Sequence, residues 1–87
     1  MYIHLGNNVM LPTDEIIGIF DLENTSISKR TRDFLNRAEK QGKVITISYD
    51  LPRSFVVAGK TLEDAKIYIS QISSQTLLKR TGYIDSL

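Results

Sequence analysis

Apolar and polar positions change their spacing along the chain and divide it into strand-like and helix-like segments. The apolar runs at 2–5 and 9–11 flank the sequence Gly-Asn-Asn, whose residue types tolerate the positive φ angles of a tight hairpin turn. The β-branched and aromatic segment at 16–21 is typical of a strand, and Gly18 within it marks a bulge or a close backbone approach. The first quarter of the chain therefore predicts a hairpin followed by a third strand.

Between residues 24 and 42 the apolar period lengthens from two to nearly four. One face of the segment carries Ile27, Thr31, Phe34, Leu35 and Ala38. This spacing predicts an amphipathic helix with charged residues on the opposite face. We expect Thr25 or Ser26 to cap its first amides and Gly42 to take the left-handed conformation that ends it.

The second half of the chain contains three strand-like segments and a short helical one: 43–50, 54–59, 66–72 and 73–82. The first two are rich in β-branched residues, as buried strands usually are. Ser73 or Ser74 is expected to cap the helix and Gly82 to end it. Residues 83–87 are expected to form a loose tail.

The element order β-β-β-α-β-β-β-α contains no repeated β-α-β unit. It predicts an α+β fold, a small, curved and mostly antiparallel sheet with helices packed against it. The 87 residues hold no linker or internal repeat, so we expect one domain over 1–87. A domain of this size without cysteine or metal ligands often gains stability by self-association. A homo-oligomer is therefore expected.

Sequence features of secretion and membrane insertion are not found. The N-terminal segment has no basic region followed by an apolar one, as a signal peptide would have. No window approaches the ~20 apolar residues that a membrane span needs. The sequence predicts a cytoplasmic protein without membrane contact.

The ionisable residues do not form a pattern typical of catalysis or metal binding. His4 is the only histidine and lies on a predicted strand, where a structural role is expected. The adjacent acids at 14–15 and 63–64 lie near predicted turns, where we expect solvated side chains. The five glycines form no phosphate-binding loop. We therefore expect no enzyme activity, no catalytic residue, no cofactor and no metal.

Charge is unevenly distributed although the formal net charge is only +1. Residues 1–28 contain four acids and no Lys or Arg, whereas residues 29–43 contain six basic residues and two acids. Such asymmetry permits a basic, phosphate-binding surface on a nearly neutral protein. It equally permits a head-to-tail contact between identical subunits.

Basic side chains in this pattern could neutralise the phosphates of a nucleic acid, or they could form an ordinary solvated helix face. Lys29 and Arg30 belong to the basic helix, in which Asp33 and Glu39 dilute the positive field. Loop residues are better placed to project, because paired strands hold a loop rigidly. Arg53 has an alternative role, an ion pair with an acid such as Asp50 or with a neighbouring subunit. The candidate DNA-binding residues are Arg53, Lys60, Lys29 and Arg30.

The order of several segments resembles a known family. "YIHLG", "EIIGIFD", "KQGKVITISY", "PRSFVV" and "IYISQISSQTLLKR" span most of 2–81 and resemble the Rem family of bacterial extracellular-matrix regulators, most closely its RemB type. The resemblance implies a DNA-associated regulator of biofilm-matrix genes. The related RemA type assembles into rings and binds DNA through arginines around the ring, and a related regulator protein is a further possible partner.

The chain departs from the RemA type at two places that bear on DNA binding. RemA-type proteins are basic before the third strand, where this chain has Glu15, and carry consecutive arginines in the loop matching 50–54. That loop here reads Asp-Leu-Pro-Arg-Ser, so Arg53 is the arginine it offers. We predict an oligomeric, DNA-associated regulator. The alternative is an oligomeric protein-protein interaction module without direct DNA contact.

Overall fold

The computed structural model describes residues 1–23 and 28–81. Its elements are β1 (Tyr2–Gly6), β2 (Val9–Pro12), a short 3-10 helix (Thr13–Glu15), β3 (Ile16–Asp21), α1 (Lys29–Lys40), β4 (Val44–Thr46), β5 (Ser54–Ala58), β6 (Lys66–Ser70) and α2 (Ser74–Arg80). The predicted α+β class and the order β-β-β-α-β-β-β-α are confirmed. The strands form two sheets, both mostly antiparallel.

Strands β1 and β2 form an antiparallel hairpin. Asn7 and Asn8 at its turn have φ angles of 46° and 65°, as the sequence predicted for residues that tolerate the left-handed region. The Asn7 side chain also donates a hydrogen bond of 2.6 Å to the carbonyl of Ile47. The hairpin turn is thereby fixed to the segment that follows β4.

The larger sheet has the strand order β3-β5-β6-β4. Strand β5 pairs antiparallel with β3 and β6, whereas β4 pairs parallel with β6. The register shifts between Ile16 and Gly18, which confirms the predicted irregularity at the glycine. Strands β3 and β4 are the two edges of this sheet, and β5 lies inside it.

Both faces of β5 are covered, and all five of its residues are buried. Because side chains alternate along a strand, Val56 packs with the hairpin and α2, whereas Phe55 packs towards α1. One cluster contains Ile3, Leu5, Ile47, Val56, Ala58 and Leu77, and the other Ala38, Phe55, Val57, Ala65 and Ile67. The sheet is therefore the middle of three layers, and β5 is its best-covered strand.

The start of α1 differs from the sequence prediction. The helix begins at Lys29, and the Ser28 hydroxyl accepts a hydrogen bond of 3.2 Å from the amide of Thr31. The predicted caps at 25 and 26 were therefore wrong, and both residues lie outside the described part of the chain. Ser28 is itself a preferred capping residue, but the apolar period alone did not separate it from its neighbours.

The other helix ends follow the prediction where the structure describes them. Gly42 has a φ of +72° just after the last turn of α1, the left-handed conformation expected there. Ser73 caps α2 by accepting a 3.2 Å hydrogen bond from the amide of Thr76. The predicted stop at Gly82 and the tail at 83–87 lie outside the described residues.

Strand β4 is much shorter than the predicted 43–50. After Thr46 the chain follows the end of β6, where the amide of Ile47 donates to the carbonyl of Ile69 at 3.0 Å. The Ser48 hydroxyl then donates to Oε1 of Gln71 at 3.0 Å. These contacts direct residues 47–53 around the end of β6 towards β5. Arg53 therefore lies immediately before β5, one of the two inner strands of the sheet.

Candidate nucleic-acid interface

Arg53 occupies a fixed backbone position immediately before β5. Its amide donates to the carbonyl of Ser70 at 2.9 Å, and its carbonyl accepts from the amide of Leu22 at 3.0 Å. These bonds extend the pairing of β5 with both neighbouring strands. Arg53 therefore lies at the end of the central strand, where backbone hydrogen bonds restrain it on two sides.

The Arg53 side chain forms an ion pair with an acid that sequence reasoning did not name. Its Nε donates to Oε1 of Glu23 at 2.7 Å, and the two side chains are 49% and 43% exposed. The sequence had offered Asp50 as an example of a partner. Within residues 1–23 and 28–81, the structure shows no hydrogen bond from the remaining guanidinium N–H groups of Arg53.

Besides Glu23, one acid lies on the strand paired with β5 and another in the loop that carries Arg53. The amide of Glu23 donates to Oδ1 of Asp21 at 2.7 Å, which fixes the backbone that carries Glu23. Asp50 lies three residues before Arg53 in the 47–53 loop, and its amide donates to the Ser48 hydroxyl at 3.2 Å. The end of β5 thus presents one cation among several anions, which weakens its attraction for phosphate.

Lys29 and Arg30 form the exposed first turn of α1. Arg30 lines a groove together with Phe20 and Phe55, which pair one step from the end of β5 where Arg53 lies. The first turn of α1 holds no acid, although cations are unfavourable at the positive end of a helix dipole. The first turn therefore concentrates positive charge on the side of the sheet covered by α1, and Asp33 in the next turn partly offsets it.

Lys60 lies beyond the opposite end of β5. It is exposed and lines a shallow pocket with Glu15 and Lys66. Six residues, the five of β5 and Gly59, lie between it and Arg53, and β5 alone spans roughly 17 Å because a strand rises about 3.3 Å per residue. The structure therefore places Arg53 and Arg30 towards one end of the central strand and Lys60 at the other.

The remaining cations also lie apart from Arg53. Arg37 and Lys43 line a cavity of about 250 Å³ under the second half of α1. Arg80 donates from Nη1 to the carbonyl of His4 at 2.9 Å, which joins α2 to β1. His4 itself is exposed on β1. The basic residues named here are therefore distributed over several surfaces.

An apolar groove beside β3 is the surface that sequence reasoning missed. Its volume is about 330 Å³, and Ile17, Phe20, Phe34 and Leu62 line it with exposures between 41% and 75%. Phe20 stacks on Phe55 beneath it, with ring centroids 4.8 Å apart. Contiguous apolar surface of this kind often marks an interaction site. Leu62, an apolar residue in a polar turn, was the signal available in the sequence.

The described residues form neither a cluster of metal ligands nor a membrane-spanning helix. Nowhere in 1–23 or 28–81 do three His, Asp or Glu side chains converge as ligands for a metal ion. Over the same residues, neither helix has the length and apolar character needed to cross a bilayer.

The fold is that of a small α+β domain, and comparison with known proteins assigns its family. Residues 2–81 match the RemA-like family, described as extracellular matrix regulatory protein A-like. The chain therefore belongs to the RemA-like family of extracellular matrix regulatory proteins. It is 37% identical over 84 residues to extracellular matrix regulatory protein B of Bacillus subtilis (strain 168), covering 97% of this chain and 94% of that protein. The resemblance drawn from the sequence, including its RemB type, is confirmed.

Proposed function

We propose that this chain is an oligomeric, DNA-associated regulator of extracellular-matrix genes that acts in the cytoplasm as a single domain. The observation that carries the proposal is the placement of Arg53, whose backbone is fixed while its side chain is half exposed. In this proposal Arg53 contacts phosphate, with Lys29 and Arg30 contributing from the first turn of α1. Lys60 contributes a contact from the opposite end of β5.

A small number of cations per subunit is sufficient for DNA binding when an oligomer repeats them. Each neutralised phosphate lowers the slope of log K against log salt by about 0.9 on duplex DNA, so a single contact gives only weak, salt-sensitive binding. When several weak sites are linked in one assembly, binding at one site raises the effective concentration of the DNA at the others, so the total affinity increases. A closed oligomer would repeat Arg53 around one rim, which supports a role for assembly in DNA binding.

The apolar groove beside β3 supports self-association. Four large apolar side chains are exposed along it, and β3 is an edge strand of the larger sheet. Edge strands carry backbone groups available for pairing, and native proteins usually protect them. A second copy of the chain covering this groove and this edge would protect both.

Self-association predicts a mass several times that of the 9.9 kDa chain. Static light scattering at micromolar protein concentration should report one discrete, closed assembly, because oligomers of identical chains usually have closed symmetry. A monomer at every concentration would contradict the oligomeric part of the proposal. A mass that grows without limit would contradict its closed form.

DNA association predicts binding that weakens steeply with salt. We expect the assembled protein to raise the fluorescence anisotropy of a labelled duplex at low salt, with log K falling linearly as log salt increases. The same sample should be sized by light scattering, so that assembly and binding are measured together. Assembled protein that leaves the duplex unbound at low salt would contradict DNA association.

Lys29→Glu is predicted to stabilise the protein while weakening DNA binding. The change places an acid in the first turn of α1, whose charged residues in the parent are all basic. The helix dipole should favour the acid there by about 0.3–1 kcal/mol. The same change reverses a charge proposed to face phosphate. A thermal melt and a duplex titration of one preparation measure both effects, and stronger DNA binding would contradict the role given to Lys29.

The alternative function is an oligomeric protein-protein interaction module without direct DNA contact. The apolar groove favours it, because such a surface also fits a protein partner, for example a related regulator protein. The acids near Arg53, namely Asp21, Glu23 and Asp50, favour it as well, since they oppose phosphate binding. An assembled protein that binds no duplex at low salt would select this alternative.

A further inference from the structure

We infer that Glu23 is an internal competitor for Arg53, because its carboxylate occupies the Nε edge of the guanidinium, an edge that a DNA phosphate would otherwise bind. The inference rests on the proposed function, because it concerns how Arg53 becomes available to DNA. It assigns Glu23 a role that limits affinity. The arrangement makes the free protein self-inhibited at its proposed phosphate contact.

The ion pair is close but exposed to solvent. Nε of Arg53 lies 2.7 Å from Oε1 of Glu23, and each side chain is more than 40% exposed. Exposed ion pairs of this kind contribute little to stability. An incoming anion can therefore replace the carboxylate without opening the fold, as exchange at a DNA contact requires.

A displaced carboxylate still stays close to Arg53, because the backbone that carries Glu23 is held beside it. The amide of Leu22 donates to the carbonyl of Arg53 at 3.0 Å, and the amide of Glu23 donates to Oδ1 of Asp21 at 2.7 Å. Glu23 therefore remains near any phosphate that Arg53 binds. It opposes binding twice, first by occupying a donor and then by repelling the phosphate charge.

The geometry also determines which donors of Arg53 remain. A guanidinium has five N–H donors in a planar fork, and phosphate is often bound through two parallel N–H groups. With Nε engaged by Glu23, the edge that contains Nε is partly occupied. A positioning role for Glu23, in which it aims the remaining edge at DNA, is the competing account and predicts the opposite mutational effect.

Glu23→Gln is the direct test, because the amide oxygen can still accept from Nε while the negative charge is removed. We expect this variant to bind a labelled duplex several-fold more tightly than the parent at the same salt, with a steeper salt dependence. Glu39→Gln is the matched control, since it makes the same change in net charge on the exposed far half of α1. Glu39→Gln should change the affinity for duplex DNA much less than Glu23→Gln does.

Measuring Glu23→Gln in the Arg53→Ala protein distinguishes failure of this inference from failure of the proposed function. In Arg53→Ala protein, Glu23→Gln should give no more gain than Glu39→Gln does. If Arg53→Ala alone leaves binding unchanged, the proposed function of Arg53 fails. If Arg53→Ala weakens binding while Glu23→Gln leaves it unchanged or weakens it, the competitor role alone is overturned. Circular dichroism and mass should match the parent in every variant.

Discussion

Arg53→Ala is expected to lower the affinity of the assembled protein for duplex DNA by at least about tenfold at moderate salt. Every subunit loses its strand-end cation at once, so the loss accumulates around the assembly. Stability should change by less than about 1 kcal/mol, because the ion pair with Glu23 is exposed. Anisotropy titration at one salt concentration and a thermal melt measure the two quantities.

Two further variants test whether the loss of DNA affinity is specific to the Arg53 side chain. Arg37→Ala removes the same side chain and charge from the second half of α1, where Arg37 lines a cavity with Lys43 and has no proposed phosphate contact, so it should weaken binding much less. Arg53→Lys keeps the charge without the planar fork and should give an intermediate affinity. If Arg53→Ala dissociates the assembly, Arg53 contacts a neighbouring subunit instead, and its DNA-facing role is wrong.

Phe34→Glu is expected to convert the assembly into monomers. Phe34 lines the apolar groove and is 41% exposed, so a charge there should be solvated in the free chain but buried in a contact between copies. Burying an unpaired charge is strongly unfavourable. Light scattering should report the mass of a single chain at concentrations where the parent is assembled.

Leu62→Glu and Met10→Glu are the matched variants for the groove. Leu62 lines the same groove and is 75% exposed, so its replacement should dissociate the assembly with little effect on folding. Met10 is 56% exposed on β2, in the layer on the other side of the sheet, and its replacement should leave the mass unchanged. An assembly that survives both groove variants would place the contact between copies elsewhere.

Assembly and DNA binding are linked in this account. A monomeric Phe34→Glu protein carries only one Arg53, so it should lose most of its DNA affinity although every side chain proposed to contact phosphate is still present. Arg53→Ala should lose affinity without losing mass. The two variants therefore separate loss of the contact from loss of its repetition.

Local features of the fold could be predicted because their causes lie within a few residues. The hairpin turn at Asn7 and Asn8, the Ser73 cap and the left-handed Gly42 each follow from the conformational preferences of the residue itself. The element order followed from apolar periodicity. The division into two sheets did not, because it depends on which strands pair across the chain.

Features of the candidate site could not be predicted where distant segments create them. Arg53 and Glu23 are 30 residues apart, and nothing local to either indicates the pair. Phe34 has the apolar spacing of a core residue, yet only the final packing of α1 leaves it half exposed at the groove. Strand β4 ends early because Ile47 and Ser48 bond to the far end of β6, a contact absent from the sequence pattern.

The salt dependence of duplex binding, measured for the parent and Arg53→Ala as equally assembled proteins, distinguishes a phosphate contact at Arg53 from a purely structural role. Each phosphate contact contributes about 0.9 to the slope of log K against log salt, so removing the Arg53 contacts should flatten the line by an amount that grows with the number of subunits touching DNA. We expect a clearly smaller slope for Arg53→Ala at unchanged mass. Parallel lines for the two proteins would contradict a phosphate contact at Arg53.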